Sequence, residues 1–165
     1  MLTPSQKNSS IPFFLHGLDS STQGTKARWF RQHFPQVRMR DYTGDLSQRL
    51  TQMEEQVQGL AGLILVGSSF GGLMATCFAI RYPERCRRLV LLAPALNFGE
   101  FQPPTQKITV PTLVIMGRHD TVCPPALVQP QAEATFSDLE LRIEDDDHML
   151  HASFPVLDWP NLLNS

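Results

Sequence analysis

Apolar residues in this chain gather into short, dense runs separated by stretches with helical spacing. Five runs stand out, at positions 11–15, 63–66, 89–92, 112–116 and 139–143. Each is rich in Val, Ile, Leu or Phe, the pattern of β-strands covered on both faces. A weaker run at 37–41 predicts a sixth strand closer to an edge. Between the runs, 26–33 carries Trp29 and Phe30 and stops near Pro35. Segment 46–58 places Leu46, Leu50, Met53 and Val57 three or four apart, which makes one apolar stripe on a helix. Segment 70–82 is rich in small residues and ends before Pro83, because a residue preceding proline is pushed out of the helical region. Segment 127–136 predicts a further helix, interrupted at Pro130. This alternation predicts an α/β fold: a mostly parallel sheet of about six strands with helices on both faces. In such sheets functional residues collect just beyond the carboxyl ends of the strands.

Length and composition narrow the picture. The 165 residues suit one domain, here 11–165, behind a polar and flexible segment at 1–10 that lacks the apolar core of a signal peptide. Apolar residues make up 42% and charged residues 18%, ordinary globular usage. A net charge of −2 with no long basic run argues against a nucleic-acid partner. No apolar stretch is long enough for membrane insertion. Cys77, Cys86 and Cys123 form neither a disulfide framework nor a metal-spaced cluster, which predicts reduced thiols in a cytoplasmic protein. The oligomeric state is open, and the partner implied is a small molecule.

The sharpest motif is Gly67-Ser68-Ser69-Phe70-Gly71, placed between an apolar run and a helical segment. G-x-S-x-G at a strand-to-helix turn is the nucleophile elbow, which lifts a serine above the sheet edge. At average Gly and Ser usage the motif arises by chance in roughly one chain in twenty of this length, so its placement matters more than its letters. The competing reading is a glycine-rich turn whose serine caps a helix. Ser68 is a neighbouring candidate, but only Ser69 lies between the glycines.

A serine nucleophile needs a base, and the base an orienting acid. The chain order for this elbow is Ser, then Asp or Glu, then His. Asp120 sits at the exit of the fourth apolar run and is the acid of choice, with Glu100 as fallback. His148 falls in the loop after the last run and is the expected base, with His151 as the alternative. Asp145, Asp146 and Asp147, if close, would favour charged His148. His33 and His119 read as surface or turn residues. His16-Gly17 ends the first run, where a loop supplies an oxyanion N–H, so the donors expected are Leu18 and Phe70.

Together, His16-Gly17, Gly67-x-Ser69-x-Gly71, Asp120 and Asp147-His148 resemble the α/β-hydrolase superfamily, over nearly the whole chain from Ile11 to Leu150. Gly24-Thr-Lys-Ala27, Asp41-Tyr-Thr-Gly44 and Val66-Gly-Ser-Ser-Phe-Gly-Gly72 further resemble compact lidless esterases of the bacterial YqiA type and mitochondrial acyl-protein thioesterases. The resemblance implies cleavage of small-molecule acyl esters or thioesters through an acyl-serine intermediate. The chain departs from the pattern where Asp146-Asp147 replaces a glycine before the histidine, and it lacks the first two strands of larger members. The short stretch between Leu92 and Ile108 predicts a loop in place of a cap. The site should therefore be open and shallow, favouring short acyl chains, unless Phe98, Phe101 and Met149 line a groove. No cofactor or metal is implied. The rival readings are a peptidase-type hydrolase and a non-catalytic ligand-binding member of the fold.

Overall fold

The computed structural model describes residues 9–164, so the flexible segment expected at 1–10 lies, but for Ser9 and Ser10, outside the described residues. The elements in chain order are β1 (Ile11–Leu15), α1 (Thr25–His33), α2 (Leu46–Gln56), β2 (Leu63–Ser68), α3 (Phe70–Arg81), β3 (Cys86–Leu92), β4 (Thr112–Gly117), α4 (Pro125–Thr135), β5 (Leu139–Glu144) and α5 (Trp159–Leu162). One-turn 3₁₀ segments lie at Pro83–Arg85 and Phe154–Val156.

All strands pair in parallel, in sequential order β1-β2-β3-β4-β5. The run at 37–41 adds only one bridge at the β1 edge, where Phe14 N donates to Arg38 O and Arg38 N to Pro12 O, both at 2.9 Å. Pairing stops there because the next groups are engaged elsewhere: Asp41 Oδ1 accepts from Thr22 N, and Tyr42 N donates to His16 Nε2. The fifth run also departs from full burial. β5 has a neighbour on one side only, and Glu140 and Arg142 alternate with half-buried Leu139 and Leu141.

Successive side chains of a strand point to opposite faces, and both faces here are covered. Leu63, Leu65, Leu89, Leu91 and Val114 pack beneath Met53 of α2, Leu73 and Phe78 of α3, and Val128 of α4. Ile64, Val66, Val90 and Ile115 face the other way, against Phe30 of α1 and the C-terminal Phe154 and Trp159. Phe30 stands edge-on to both, with ring centroids 5.4 Å and 4.9 Å away. This C-terminal contribution went unpredicted: Pro155 and Pro160 break the helical pattern, and the elements there are only three and four residues long.

Two helix boundaries are also corrected. α4 runs unbroken through Pro130, anchored to the core by Val128 and Ala132. α2 ends two residues early, before Gly59 at φ 75° turns the chain back toward β2. The β3–β4 connection contains no helix. Among the described residues no helix is long and apolar enough to cross a membrane.

Removing a wholly buried aromatic ring leaves a cavity as well as lost burial. Phe30→Ala should lower unfolding free energy by about 3–5 kcal/mol, measured as a fall in the urea midpoint at unchanged m-value.

Candidate active site

β2 ends at Ser68 and α3 begins at Phe70, so the turn between strand and helix is a single residue. That residue, Ser69, has φ 55° and ψ −115°, a strained conformation for a side-chain-bearing residue. The flanking glycines are dictated by backbone contact. A Cβ on Gly67 would lie 2.3 Å from Gly71 O, and a Cβ on Gly71 would lie 2.0 Å from Leu15 O. Ser69 is held by its own main chain: its N–H donates to Leu92 O at 2.9 Å, and its carbonyl accepts from Ala95 N at 3.0 Å.

Three residues from distant parts of the chain meet above this turn. Ser69 Oγ lies 3.1 Å from His148 Nε2, and His148 Nδ1 lies 2.7 Å from Asp120 Oδ2. The other Asp120 oxygen accepts from the Val122 and Cys123 N–H groups, both at 2.8 Å, so the carboxylate is fixed. With Nδ1–H donated to Asp120, Nε2 is left as an acceptor for the serine hydroxyl. The alternatives sit elsewhere. His151 is exposed and faces Asp147, and His119 pairs with Asp145. Glu100 lies exposed near Leu46 and Arg81.

The loop after β1 closes the third side. A Cβ on Gly17 would stand 3.6 Å from Ser69 Cβ. Leu18 and Phe70 both border the cavity at Ser69, and neither N–H finds an acceptor among the described residues. Buried His16 accepts from Tyr42 N through Nε2 at 2.9 Å, which leaves Nδ1–H to donate to Gly17 O at 2.7 Å. Burial lowers the His16 pKa and Arg49 adds to that, against the opposing Gly17 bond and Asp41, so the ring stays neutral. In a trans peptide C=O and N–H point opposite ways; a tether on Gly17 O therefore aims Leu18 N–H. Arg49 does similar work from behind. Its Nε donates to Gly44 O at 2.8 Å and one terminal N–H to Leu18 O at 3.2 Å. Its guanidinium also sits 5.4 Å from the Phe70 ring centre.

The loop bearing His148 is organised by buried polar groups rather than by secondary structure. Asp146 accepts from the N–H groups of Asp147, Ala152 and Ser153 and from Ser153 Oγ. Asp147 accepts from Met149 N. The three carboxylates of the acidic run thus face other partners, and the one bonded to His148 is Asp120. Lys26 donates to Met149 O at 2.7 Å from α1. Gly117 lets this loop lie against the β4 exit, since a Cβ there would be 2.4 Å from Asp147 O.

Ser69, His148, Leu18 and Phe70 border a cavity of about 750 Å³. That is no shallow surface, and it falls within the size range of small-molecule pockets. Phe98 and Met149 contribute to its walls, whereas Phe101 is packed into the core. Cys123, Asp120 and His148 bring three metal-capable atoms within 4.8 Å of one another. Burial pushes the Cys123 thiol up to about 11, while Asp120 and His148 are bonded to each other. Lys26, Arg49, Gly117 and Cys123 went unremarked as site residues. Only Lys26 lay inside a motif already singled out, and no local pattern marks the others.

A family model described as serine aminopeptidase, S33, matches residues 13–105, more than half of the chain. A human (lyso)-N-acylphosphatidylethanolamine lipase is 37% identical over 57 residues, 33% of this chain and 17% of the lipase. The match therefore spans about a sixth of that relative's length. Among solved structures, a hydrolase of the α/β superfamily from Xanthomonas campestris pv. campestris superposes with a TM-score of 0.68 at 25% identity, covering 85% of this chain and 88% of that one. An esterase from Exiguobacterium antarcticum gives a TM-score of 0.69 at 16% identity, covering 89% and 88%, a likeness of fold alone.

Asp146 yields a prediction with a definite sign. Burial alone would raise its pKa, but the bonds from Ser153, Asp147 and Ala152 win and hold it below the ordinary 3.8. A depressed folded-state pKa stabilises above the unfolded value and loses that contribution as pH falls through the folded one. Asp146→Asn should therefore destabilise by about 1–3 kcal/mol at neutral pH. In urea unfolding followed against pH, the gap to wild type should shrink as pH drops below about 4.

Proposed function

The chain belongs to the S33 serine aminopeptidase family within the α/β hydrolases, and on that premise we propose that it is a serine hydrolase of carboxylic esters or thioesters. The observation that carries the reading is the hydrogen-bonded chain from Ser69 Oγ through His148 to Asp120 at the mouth of the cavity. In this mechanism His148 Nε2 removes the hydroxyl proton as Ser69 Oγ attacks the acyl carbon. Asp120 stabilises the resulting imidazolium through Nδ1–H. Charge developing on the carbonyl oxygen is met by the Leu18 and Phe70 N–H groups. The C–O or C–S bond then breaks, and the leaving group takes the proton from His148. Water attacks the acyl-serine with His148 again as base, releasing the acid and restoring Ser69. None of these steps needs a cofactor.

The cavity changes the substrate expected from an uncapped fold. With Leu18, Phe98, Val122 and Met149 around it, an acyl tail finds apolar walls on loops. Each buried CH₂ contributes roughly 0.8 kcal/mol, about fourfold in kcat/KM. In a series of p-nitrophenyl esters kcat/KM should climb at that slope while the cavity fills and flatten once the tail emerges. A flat profile from acetate onward would show that the tail does not enter.

A fluorophosphonate probe should label Ser69 and leave Ser69→Ala unlabelled; labelling at Ser68 would remove the nucleophile assignment. Asp120→Asn should retain the fold and lose about 10³–10⁴ in kcat, since the amide stabilises the wrong imidazole tautomer. His148→Ala should be at least as severe and His151→Ala mild. The family's description favours a second reading, cleavage of aminoacyl amides. Turnover of aminoacyl p-nitroanilides above that of matched p-nitrophenyl esters would select it.

A further inference from the structure

Two cations are buried beside the site without an ion-pair partner among the described residues: Arg49, which braces the loop after β1, and Lys26, which borders the cavity itself. Lys26 is only 7% exposed. A lysine this buried is rarely left without a counter-charge. Its ammonium has three hydrogens to donate, and the structure gives it one acceptor, the Met149 carbonyl. The ammonium also lies 5.6 Å from the centre of the Phe154 ring. Asp146 and Asp147 are near enough to raise its pKa, which burial more strongly lowers. Both carboxylates are nevertheless committed to the N–H groups of their own loop. Asp19, the acid on the cavity wall, forms no ion pair with Lys26. Gly24, Thr25 and Ala27 border the same cavity, and this first turn of α1 carries no acidic residue or side-chain cap, so its N–H groups add positive potential.

We propose that the cavity takes a substrate bearing a carboxylate, which pairs with the Lys26 ammonium while the ester or thioester lies at Ser69. The inference rests on the hydrolase reading above and narrows its substrate class from neutral acyl esters to acidic ones. Lysine suits this role, because a compact charge on a flexible stem accepts a carboxylate without demanding a two-pronged geometry. The carboxylate can be carried on the acyl part or on the leaving group, and two substrate sets separate these.

The acyl-side set pairs mono-p-nitrophenyl succinate, glutarate and adipate with their methyl-capped diesters. The leaving-group set pairs 4-carboxyphenyl hexanoate with its methyl ester. In one set the acid should exceed its capped partner in kcat/KM by about tenfold or more, the size of one charge-assisted hydrogen bond. Lys26→Arg should keep that ratio and Lys26→Met should bring it near unity; using the ratio cancels any general loss from freeing the Met149 carbonyl. Acid-to-ester ratios near one in both sets, or a ratio unchanged in Lys26→Met, overturn the proposal. A binding arm keeps the outcome separate from catalysis. By calorimetry Ser69→Ala should bind monomethyl glutarate or 4-carboxyphenyl hexanoate more tightly than the fully capped ester, and Ser69→Ala/Lys26→Met should not. If no ester is hydrolysed and no probe labels Ser69, the hydrolase reading fails, and the calorimetry alone decides the Lys26 site. If neutral esters turn over but the acids gain nothing, only the Lys26 proposal fails.

Discussion

The contact on which the site depends is one of bare backbone: the turn at Ser69 presses Gly71 against the Leu15 and His16 carbonyls and Gly67 against Gly71. At 2.0–2.8 Å from a notional Cβ, these neighbours are main-chain atoms that cannot swing aside. Several consequences follow from the one approach. Ser69 is forced to positive φ and its side chain rises clear of the sheet. Phe70, the first residue of α3, borders the cavity, and the loop after β1 is brought against the serine. Strain of this kind persists only where surroundings over-determine it; here parallel pairing of β1 to β2 and β2 to β3 locks both sides of the turn. Among the described residues two further non-glycine positions have positive φ, Ala93 at the exit of β3 and Leu150 two residues after His148. Ala93 follows the Leu92 carbonyl that binds Ser69 N, so backbone strain gathers around the same few ångströms.

Sheet and helices satisfy their own hydrogen bonds, while the loops at the carboxyl edge make only scattered backbone bonds, such as His119 N to Asp146 O and Leu150 N to Asp147 O, and buried polar side chains add the rest. His16 and Arg49 hold carbonyls of the first loop, Asp146 gathers amides of the last, and Lys26 ties that last loop to α1. These are among the few charged or polar groups in the interior. Burial of such groups is unfavourable unless their bonds are made, so each fixes one loop geometry over its alternatives. The result is a site of irregular backbone held to defined distances. A His148 loop free to wander could not keep Nε2 at 3.1 Å from Ser69 and Nδ1 at 2.7 Å from Asp120 together.

What was legible in the sequence follows the same division. Strands were plain because each apolar run is buried by a sheet neighbour or a helix, and hydrophobicity reports burial directly. β5 misled because an edge strand keeps Glu140 and Arg142 among its leucines, and 37–41 because its hydrogen bonds turn to His16 and Thr22 after one bridge. The Ser69–His148–Asp120 constellation was legible because motif, strand exit and chain order each constrain it. Arg49 and Gly117 were not. Their roles depend on which distant loop they touch, and one-dimensional spacing carries no record of a contact such as Arg49 to Leu18, thirty-one residues apart. The C-terminal aromatic pair, Phe154 and Trp159, was missed for a different reason: its elements are too short to show a period at all.

The same bonds explain how a fold whose β3–β4 connection is a loop still borders a cavity of about 750 Å³. Leu18, Val122 and Met149 are 49%, 58% and 44% exposed, yet all three border the cavity. Exposed apolar side chains gathered around one opening mark a binding surface more often than a packing defect. Each stands on a loop adjoining a hydrogen-bonded site residue: Leu18 beside Gly17, Val122 beside Asp120, Met149 beside His148. The bonds that fix Gly17, Asp120 and His148 in place therefore also fix the walls. Leu18 O is held by Arg49, Val122 N by Asp120 and Met149 O by Lys26. The hydrogen-bonded trio and the cavity wall are then held by one network, so a change in a tether such as Arg49 disturbs Leu18 and the peptide beside it in a single step. With the β3–β4 connection a loop, those walls come from the same loops that carry Gly17, Asp120 and His148.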